Sequence, residues 1–278
     1  MTKAGGAALR PFFFGTARHR LFGLAGEPVG NDTGRGLLIC PPFADEMNRA
    51  RSTLRLLAAC AAQAGFRPLL CDLYGTGDSD GDLADASWGG WLDDLTAAAA
   101  WLSERGNRKL AVVALRSGAL LANDLFPGRL PRPDKLVLWQ PHLAGKYVLQ
   151  DLLRTRVAAA AAAGGRESVS GLRDQLSRGT ALEASGYAIT PSLAASLDQA
   201  MLEPAIASAA KTAVWIEVVS EPNIPLRPAA AQFLEHCLQH TAPVAAKMVV
   251  DPPFWATTET TVGAASVSAI MNCLQDNP

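Results

Sequence analysis

Histidine and charged residues are scarce in this chain of 278 residues. Only 4 histidines occur, and Asp, Glu, Lys and Arg together make up 18%. No HExxH motif is present, so we expect no metal site and no cofactor. The formal net charge is -1. This argues against nucleic-acid binding, which requires a basic surface to replace counterions.

Long apolar runs and paired cysteines are also lacking. No stretch reaches the roughly 18 apolar residues of a membrane span, and Arg10-Pro11 interrupts the N-terminal segment before a secretory signal could form. The five cysteines have an odd count and no CxxC spacing: Cys40, Cys60, Cys71, Cys237 and Cys273. Free buried thiols in a reducing compartment are therefore expected, and we predict a cytoplasmic protein.

Apolar runs alternate with helical patterns along most of the chain. Buried-strand runs occur at 36–40, at the start of "FRPLLCDLYGTGDSDG", in "KLAVVAL", in "DKLVLWQPH" up to Pro141, and again in "TAVWIEVV" and "AKMVV". Strict alternation predicts an α/β fold with a mostly parallel central sheet and helices on both faces. In such sheets a ligand crevice forms at the carboxyl ends of the strands.

Residues 145–210 break this alternation. They are helical in composition, with an alanine run at 158–163 and a break at Gly164-Gly165. We predict a helical cap or lid insertion over residues 145–210, between two parts of one core domain, residues 1–144 and 211–278.

The strand-to-helix junction "VVALRSGALL" has small residues at Ala114 and Gly118, as a nucleophile elbow requires. The order of elements resembles the α/β-hydrolase fold, which carries its nucleophile at that apex. Here the apex is Arg116, which cannot act as a nucleophile because it stays protonated. Ser117 comes one residue late, and shifting the turn to it would put Leu115 at a crowded position. A serine capping the following helix is the alternative interpretation of Ser117.

The partners of a catalytic serine are also displaced. Glu221 follows the strand "TAVWIEVV", where the fold expects an acid, but Asp251 rather than a histidine follows "AKMVV". Only His142 stands at the carboxyl end of a strand. A rearranged triad would therefore consist of Ser117, His142 and Glu221 or Asp251.

The loop "PPFADEMNRAR" is dense in charge at a strand's carboxyl end. Its two prolines have no N–H, so backbone donors begin at Phe43. We predict ligand-binding roles near the crevice for a set from this loop, the elbow and the segment "DPPFW": Phe43, Glu46, Asn48, Arg116, Asp251 and Trp255.

Several of these segments together resemble one family. "PPFADEMNRAR", "DLYGTGDSDG", "SWGGWLDDL", "ALRSGALLANDL" and "DPPFW" look like the second of two hydrolase families associated with exosortase A systems. The resemblance implies a bacterial protein encoded among exopolysaccharide and protein-sorting genes. The elbow of that family reads Gly-Leu-Arg-x-Gly, which puts Arg116 in register but supplies no demonstrated catalytic residue.

Two functions follow from this sequence. The first is hydrolysis of an ester, thioester or other acyl group, with an acyl- or glycan-linked small molecule as substrate. The second is a catalytically inactive hydrolase-fold protein. In it Arg116 binds an anionic ligand or partner, or forms a structural salt bridge with Glu46, Glu221 or Asp251. A homodimer is possible in either case.

Overall fold

A computed structural model of the chain describes residues 9–15, 18–257 and 259–276. The first eight residues, on which the absence of a signal segment was partly argued, lie outside the described residues. The strands are β1 (Leu9–Gly15), β2 (Arg20–Gly26), β3 (Arg35–Cys40), β4 (Phe66–Cys71), β5 (Lys109–Leu115), β6 (Lys135–Trp139), β7 (Leu182–Ala184), β8 (Tyr187–Ile189), β9 (Thr212–Val219) and β10 (Val244–Val250). The helices are α1 (Ala44–Gln63), α2 (Trp88–Glu104), α3 (Gly118–Arg129), α4 (Gly145–Ala162), α5 (Val169–Ser177), α6 (Pro191–Gln199), α7 (Ile206–Ala209), α8 (Pro228–His240) and α9 (Ala264–Gln275).

Eight strands form one sheet in the spatial order β1-β2-β4-β3-β5-β6-β9-β10. The β1–β2 hairpin is antiparallel and β2 joins β4 antiparallel, whereas the strands from β4 to β10 run parallel. The predicted mostly parallel sheet is confirmed. All six predicted apolar runs are strands of its parallel part. The five inner strands need apolar side chains in both directions because they are covered on both faces, whereas β10 is an edge strand with exposed residues.

Helices cover both faces of the sheet, as predicted. Alternate residues of β5 point to opposite faces, so Val112 lies in one apolar cluster and Val113 in the other. The first cluster contains side chains of α2, α3 and α8. The second contains side chains of α1 and α9, including Leu54 and Ile270.

Residues 145–210 connect β6 to β9 and contain α4 to α7. They also contain an antiparallel hairpin, β7–β8, which the helical composition did not predict. Its turn, Ser185-Gly186, has positive φ at both residues (53° and 80°), the requirement of a tight two-residue hairpin turn. No helix within the described ranges has both the length and the apolarity needed to cross a membrane.

Candidate functional site

The junction between β5 and α3 is a tight elbow with Arg116 at its apex. Arg116 has φ 55°, a left-handed conformation that costs a non-glycine residue about 1–2 kcal/mol. Its N–H donates to the Trp139 carbonyl at 3.0 Å, and its carbonyl accepts from the His142 N–H at 3.3 Å. A Cβ at Gly118 would lie 2.2 Å from the Cys40 carbonyl oxygen, so only glycine fits where α3 begins. The elbow is therefore in the register the sequence predicted.

The Arg116 side chain forms an ion pair with Glu46, a residue of the first turn of α1. Its Nε and Nη2 both donate to Glu46 Oε1, at 2.9 and 2.7 Å. Its guanidinium carbon lies 5.2 Å from the ring centroid of Trp255. Of the three predicted acidic partners, Glu46 is the one that Arg116 contacts. Because Arg116 is only 9% exposed, this pair neutralises a charge that would be costly alone.

His142 completes a three-residue cluster with this pair, which we call the apex cluster (Glu46, Arg116 and His142). Its Nε2 lies 3.6 Å from Glu46 Oε1. Burial raises the pKa of Glu46, but the Arg116 guanidinium and His142 outweigh it and lower that pKa to about 2. Burial also lowers the pKa of His142, and the Arg116 charge adds to this against the opposing effect of Glu46. At neutral pH the cluster therefore holds a carboxylate, a guanidinium and a neutral imidazole.

A cavity of about 270 Å³ opens beside the apex cluster, at the carboxyl ends of the strands. Its lining residues are Phe43, Asp45, Glu46, Arg49, Arg116, His142, Val148, Asp151, Leu152, Thr155, Trp255 and Ala256. Five of the predicted site residues are among them. The α4 residues were not predicted, although their spacing (148, 151, 152 and 155) is that of one helix face. The spacing identifies this helix face but does not show which cavity or element the face contacts.

Charges within this cavity are nearly balanced. Arg49 donates to Asp45 at 2.9 Å and to the Thr257 carbonyl at 2.8 Å, which ties α1 to the loop after β10. Arg116 is paired with Glu46, and Asp151 adds a further carboxylate. The cavity therefore offers donors and acceptors side by side rather than a positive potential.

Ser117 is almost fully buried, and its Oγ has no hydrogen-bond partner. Among the described residues, no base is therefore within hydrogen-bond distance of this hydroxyl, and the His142 imidazole lies against Glu46 instead. The interpretation of Ser117 as a capping side chain is wrong. Its backbone is already helical (φ -66°, ψ -21°), and its side chain makes no capping bond to α3.

Three other predicted site residues, all within the described ranges, are not among the cavity's lining residues. Glu221 is exposed beyond the end of β9. Asp251 accepts a 2.7 Å hydrogen bond from the Ser266 N–H in the first turn of α9. Asn48 donates at 2.6 Å to the Tyr187 hydroxyl of β8. Within the described ranges, no side-chain hydrogen bond joins Ser117, His142 and Glu221.

The buried acid of β9 is Glu217, which lies inside an apolar run and was not predicted as a site residue. It is 1% exposed, accepts from Trp215 Nε1 at 2.8 Å and forms an ion pair with Arg227. The only signal for it was a charged residue in a strand that is otherwise apolar. Such a residue is almost always paired when it is buried.

The five cysteines are free thiols, as predicted. Among the described residues, no group of three or more His, Cys, Asp and Glu side chains could hold a metal ion.

No protein-family model matches the sequence, and no curated protein matches it. Solved structures match almost the whole chain. Est1E from Butyrivibrio proteoclasticus, solved with ferulic acid bound, has 13% identity and a TM-score of 0.65, with 95% of this chain and 97% of that chain covered. An esterase structure from Rhizomucor miehei has 18% identity and a TM-score of 0.60, covering 97% and 83%. An α/β serine hydrolase without a lid from Xanthomonas campestris has 12% identity and a TM-score of 0.57, covering 97% of each chain.

At these identities the likeness establishes the fold alone, and the chain has the α/β-hydrolase fold. The resemblance to the exosortase-associated family rests on the sequence segments quoted above.

Proposed function

We propose that this α/β-hydrolase-fold protein binds a small, uncharged, hydroxyl-rich ligand in the cavity beside the apex cluster, without a serine nucleophile. The observation that carries the proposal is the ion pair of Arg116 with Glu46 at the apex of the elbow. This pair occupies the position where the fold otherwise presents its nucleophile. A salt-bridged arginine can orient a ligand but cannot form an acyl intermediate.

The lining of the cavity supports this ligand class. Arg116, Arg49 and His142 can donate hydrogen bonds, while Glu46 and Asp151 accept them. Trp255 and Phe43 provide apolar surface beside these groups. Paired donors and acceptors next to an aromatic ring suit sugar hydroxyls and ring C–H groups. An anionic ligand would have to compete with Glu46 for Arg116, so we favour a neutral glycan over it.

The sequence resemblance supplies the context of this proposal. We infer a cytoplasmic role in a bacterial exosortase and exopolysaccharide system, in which glycan-linked molecules are available as ligands. Residues 145–210 act as a lid in this proposal, because α4 contributes Val148, Asp151, Leu152 and Thr155 to the cavity wall.

The test is saturation-transfer NMR with methyl glycosides of glucose, galactose and N-acetylglucosamine, and with acetate and phosphate as anionic probes. The key variant is Glu46→Gln/Arg116→Gln, which replaces the ion pair with two amides and leaves no buried charge unpaired. We expect the glycoside signals to fall at least tenfold in this variant. They should persist in Arg173→Gln/Asp198→Asn, which removes a partly exposed ion pair of α5 and α6.

Other outcomes would overturn the proposal. Binding of acetate or phosphate in place of the glycosides, lost in the same variant, would establish the anionic ligand instead. Glycoside signals that are absent, or unchanged by the double substitution, would contradict a binding role for the apex cluster.

Acyl hydrolysis is the second candidate, favoured by the Ser117 hydroxyl, which stands next to the apex and has no partner within the described chain. A rotation of the elbow that exposed this hydroxyl to His142 would be required. Labelling by a fluorophosphonate probe tests it. We expect no labelling of the wild-type protein, whereas labelling that disappears in Ser117→Ala would replace the binding proposal with a serine hydrolase.

A further inference from the structure

Positively charged side chains cluster at the amino ends of the parallel strands, which is the end of the sheet opposite the apex cluster. Arg35 is the first residue of β3, Lys109 of β5 and Lys135 of β6, and Lys211 immediately precedes β9. Four neighbouring strands thus each place one cation at the same end of the sheet. The chain as a whole has a net charge of only -1, so this clustering is not a consequence of composition.

The register of the sheet forces these cations close together. Arg35 is the direct partner of Lys109 across the β3–β5 pair. Lys135 is the partner of Thr212, the residue next to Lys211. Like charges directly opposite each other on neighbouring strands are destabilising. Asp134 is an acidic residue at this end of the sheet, and its Oδ1 lies 2.7 Å from Lys211 Nζ.

The cations also share a face of the sheet. Side chains alternate along each strand, so Arg35, Lys109 and Lys135 point to the face that α1 and α9 cover. There they line a cavity of about 380 Å³, whose apolar wall includes Phe66 and Leu274. We call this cavity the strand-start pocket.

Lys135 is the decisive residue of this pocket. The residue is only 7% exposed and lines the pocket, to which its ammonium group remains open, and within the described part of the chain no hydrogen bond or ion pair holds that group. An ammonium inside a narrow pocket keeps only part of its hydration, so an anion bound there supplies the counter-charge that the protein does not. Arg35 is in a different position, since its Nη1 donates to the Leu274 carbonyl at 3.3 Å.

A second cavity adjoins the strand-start pocket and extends the positive surface. It has a volume of about 530 Å³ and shares Lys109, Asp134 and Lys211 with the pocket. Arg108 and Arg132 line it as well. The positive lining therefore continues beyond one small pocket, with room for the part of a ligand that projects outward.

We propose that the strand-start pocket is a binding site for a phosphate monoester with an apolar body, separate from the cavity beside the apex cluster. The phosphate contacts Lys135, with Lys109 and Arg35 as further cations at the rim. The apolar body packs on Phe66 and Leu274. A dianionic phosphate has three terminal oxygens and can neutralise several cations at once, which removes the repulsion that the register imposes. Pockets that combine apolar walls with a few charged groups are typical of small-molecule sites.

The experiment is a calorimetric titration of the full chain with phenyl phosphate, with inorganic phosphate and phenol as partial probes. We expect saturable binding of phenyl phosphate, weaker binding of inorganic phosphate and none of phenol. Lys135→Met should weaken phenyl phosphate binding at least tenfold. The matched control Lys146→Met, at an exposed lysine of α4, should change it less than twofold.

Methionine is apolar and close to lysine in length, so we expect Lys135→Met to fold, with a melting temperature equal to or above that of the wild type. If that variant does not fold, Lys109→Met at the exposed rim should still weaken binding at least threefold. Absence of saturable phenyl phosphate binding, or affinity that neither substitution lowers, would overturn the proposal. Loss of glycoside binding in the same lysine variants would assign the effect to the other cavity and also overturn it.

Discussion

Three non-glycine residues with left-handed backbone stand at the carboxyl ends of neighbouring strands. They are Ala44 after β3, Arg116 after β5 and Gln140 after β6, with φ of 55°, 55° and 44°. Each conformation persists only where the surrounding contacts hold it. Gln140, for example, accepts from the Val218 N–H at 2.6 Å through its side chain. Such clustering of strained backbone is characteristic of functional sites, and here it surrounds the apex cluster.

Gly118 has no room for a side chain. In Gly118→Ala the new Cβ meets the carbonyl oxygens of Cys40 and Pro41, which are backbone atoms that cannot rotate away. We expect a loss of about 2–4 kcal/mol in the free energy of unfolding, measured in urea.

The matched control is Gly89→Ala. Gly89 is also a helical glycine, in α2, but its Cβ would meet nothing within 4 Å. Alanine there should stabilise the protein by about 0.5–1 kcal/mol, because it reduces backbone entropy in the unfolded chain. Equal effects of the two substitutions would mean that the close approach at the elbow is not what requires glycine.

At the scale of elements, Asp251 connects the end of β10 to the start of α9. Its carboxylate accepts from the Ser266 N–H, one of the orphan donors of the first helical turn, while its own N–H donates to Val219 of β9. Asp251, which we predicted to bind a ligand, therefore caps the start of α9 from outside that helix. α9 in turn packs its apolar side chains on the second cluster.

We predict that Asp251→Ala lowers the free energy of unfolding by about 0.5–2 kcal/mol, the usual cost of losing a helix cap. Urea denaturation followed by circular dichroism measures it. Glu259→Ala, an exposed residue of the same connection, should change stability by less than about 0.5 kcal/mol. An Asp251 variant as stable as the wild type would show that the cap contributes nothing.

At the scale of the whole molecule, the apex cluster joins three separate parts of the chain: α1, the elbow and the loop after β6. Both of its titratable members have a pKa lowered by folding. Glu46 therefore contributes stability that is present above its ordinary pKa of 4.5 and is lost as pH falls towards about 2. His142, kept neutral by burial, contributes stability that is lost as pH falls below 6.5.

We therefore predict that the free energy of unfolding falls as pH is lowered from 7 to 3, and that Glu46→Gln/Arg116→Gln flattens this profile. The lowered pKa of Glu46 corresponds to a contribution on the order of 3 kcal/mol. Urea denaturation at successive pH values provides the measurement. Arg173→Gln/Asp198→Asn should instead give a profile parallel to that of the wild type. Parallel profiles for both double variants would contradict a stabilising apex cluster.

Much of the architecture was determined by the sequence alone. Apolar runs located every strand of the parallel part. In the inner strands this follows from burial on both faces, which favours apolar side chains at nearly every position. The register of the elbow followed from Ala114, Arg116 and Gly118, because a turn this tight requires small residues two positions before and two positions after its apex. The absence of a histidine after β10 was equally visible. These are local or periodic properties, which a chain carries whatever surrounds it.

The partners of the charged residues were decided only by the tertiary structure. Arg116 had three candidate acids, and it contacts the one 70 residues away. Asp251 bonds to the start of α9, and Lys135, unremarkable in the sequence, is buried at the start of β6. Which charges meet depends on the order of the strands and on which helix face turns inward. That order is fixed by packing between distant segments and leaves no periodic signal along the chain.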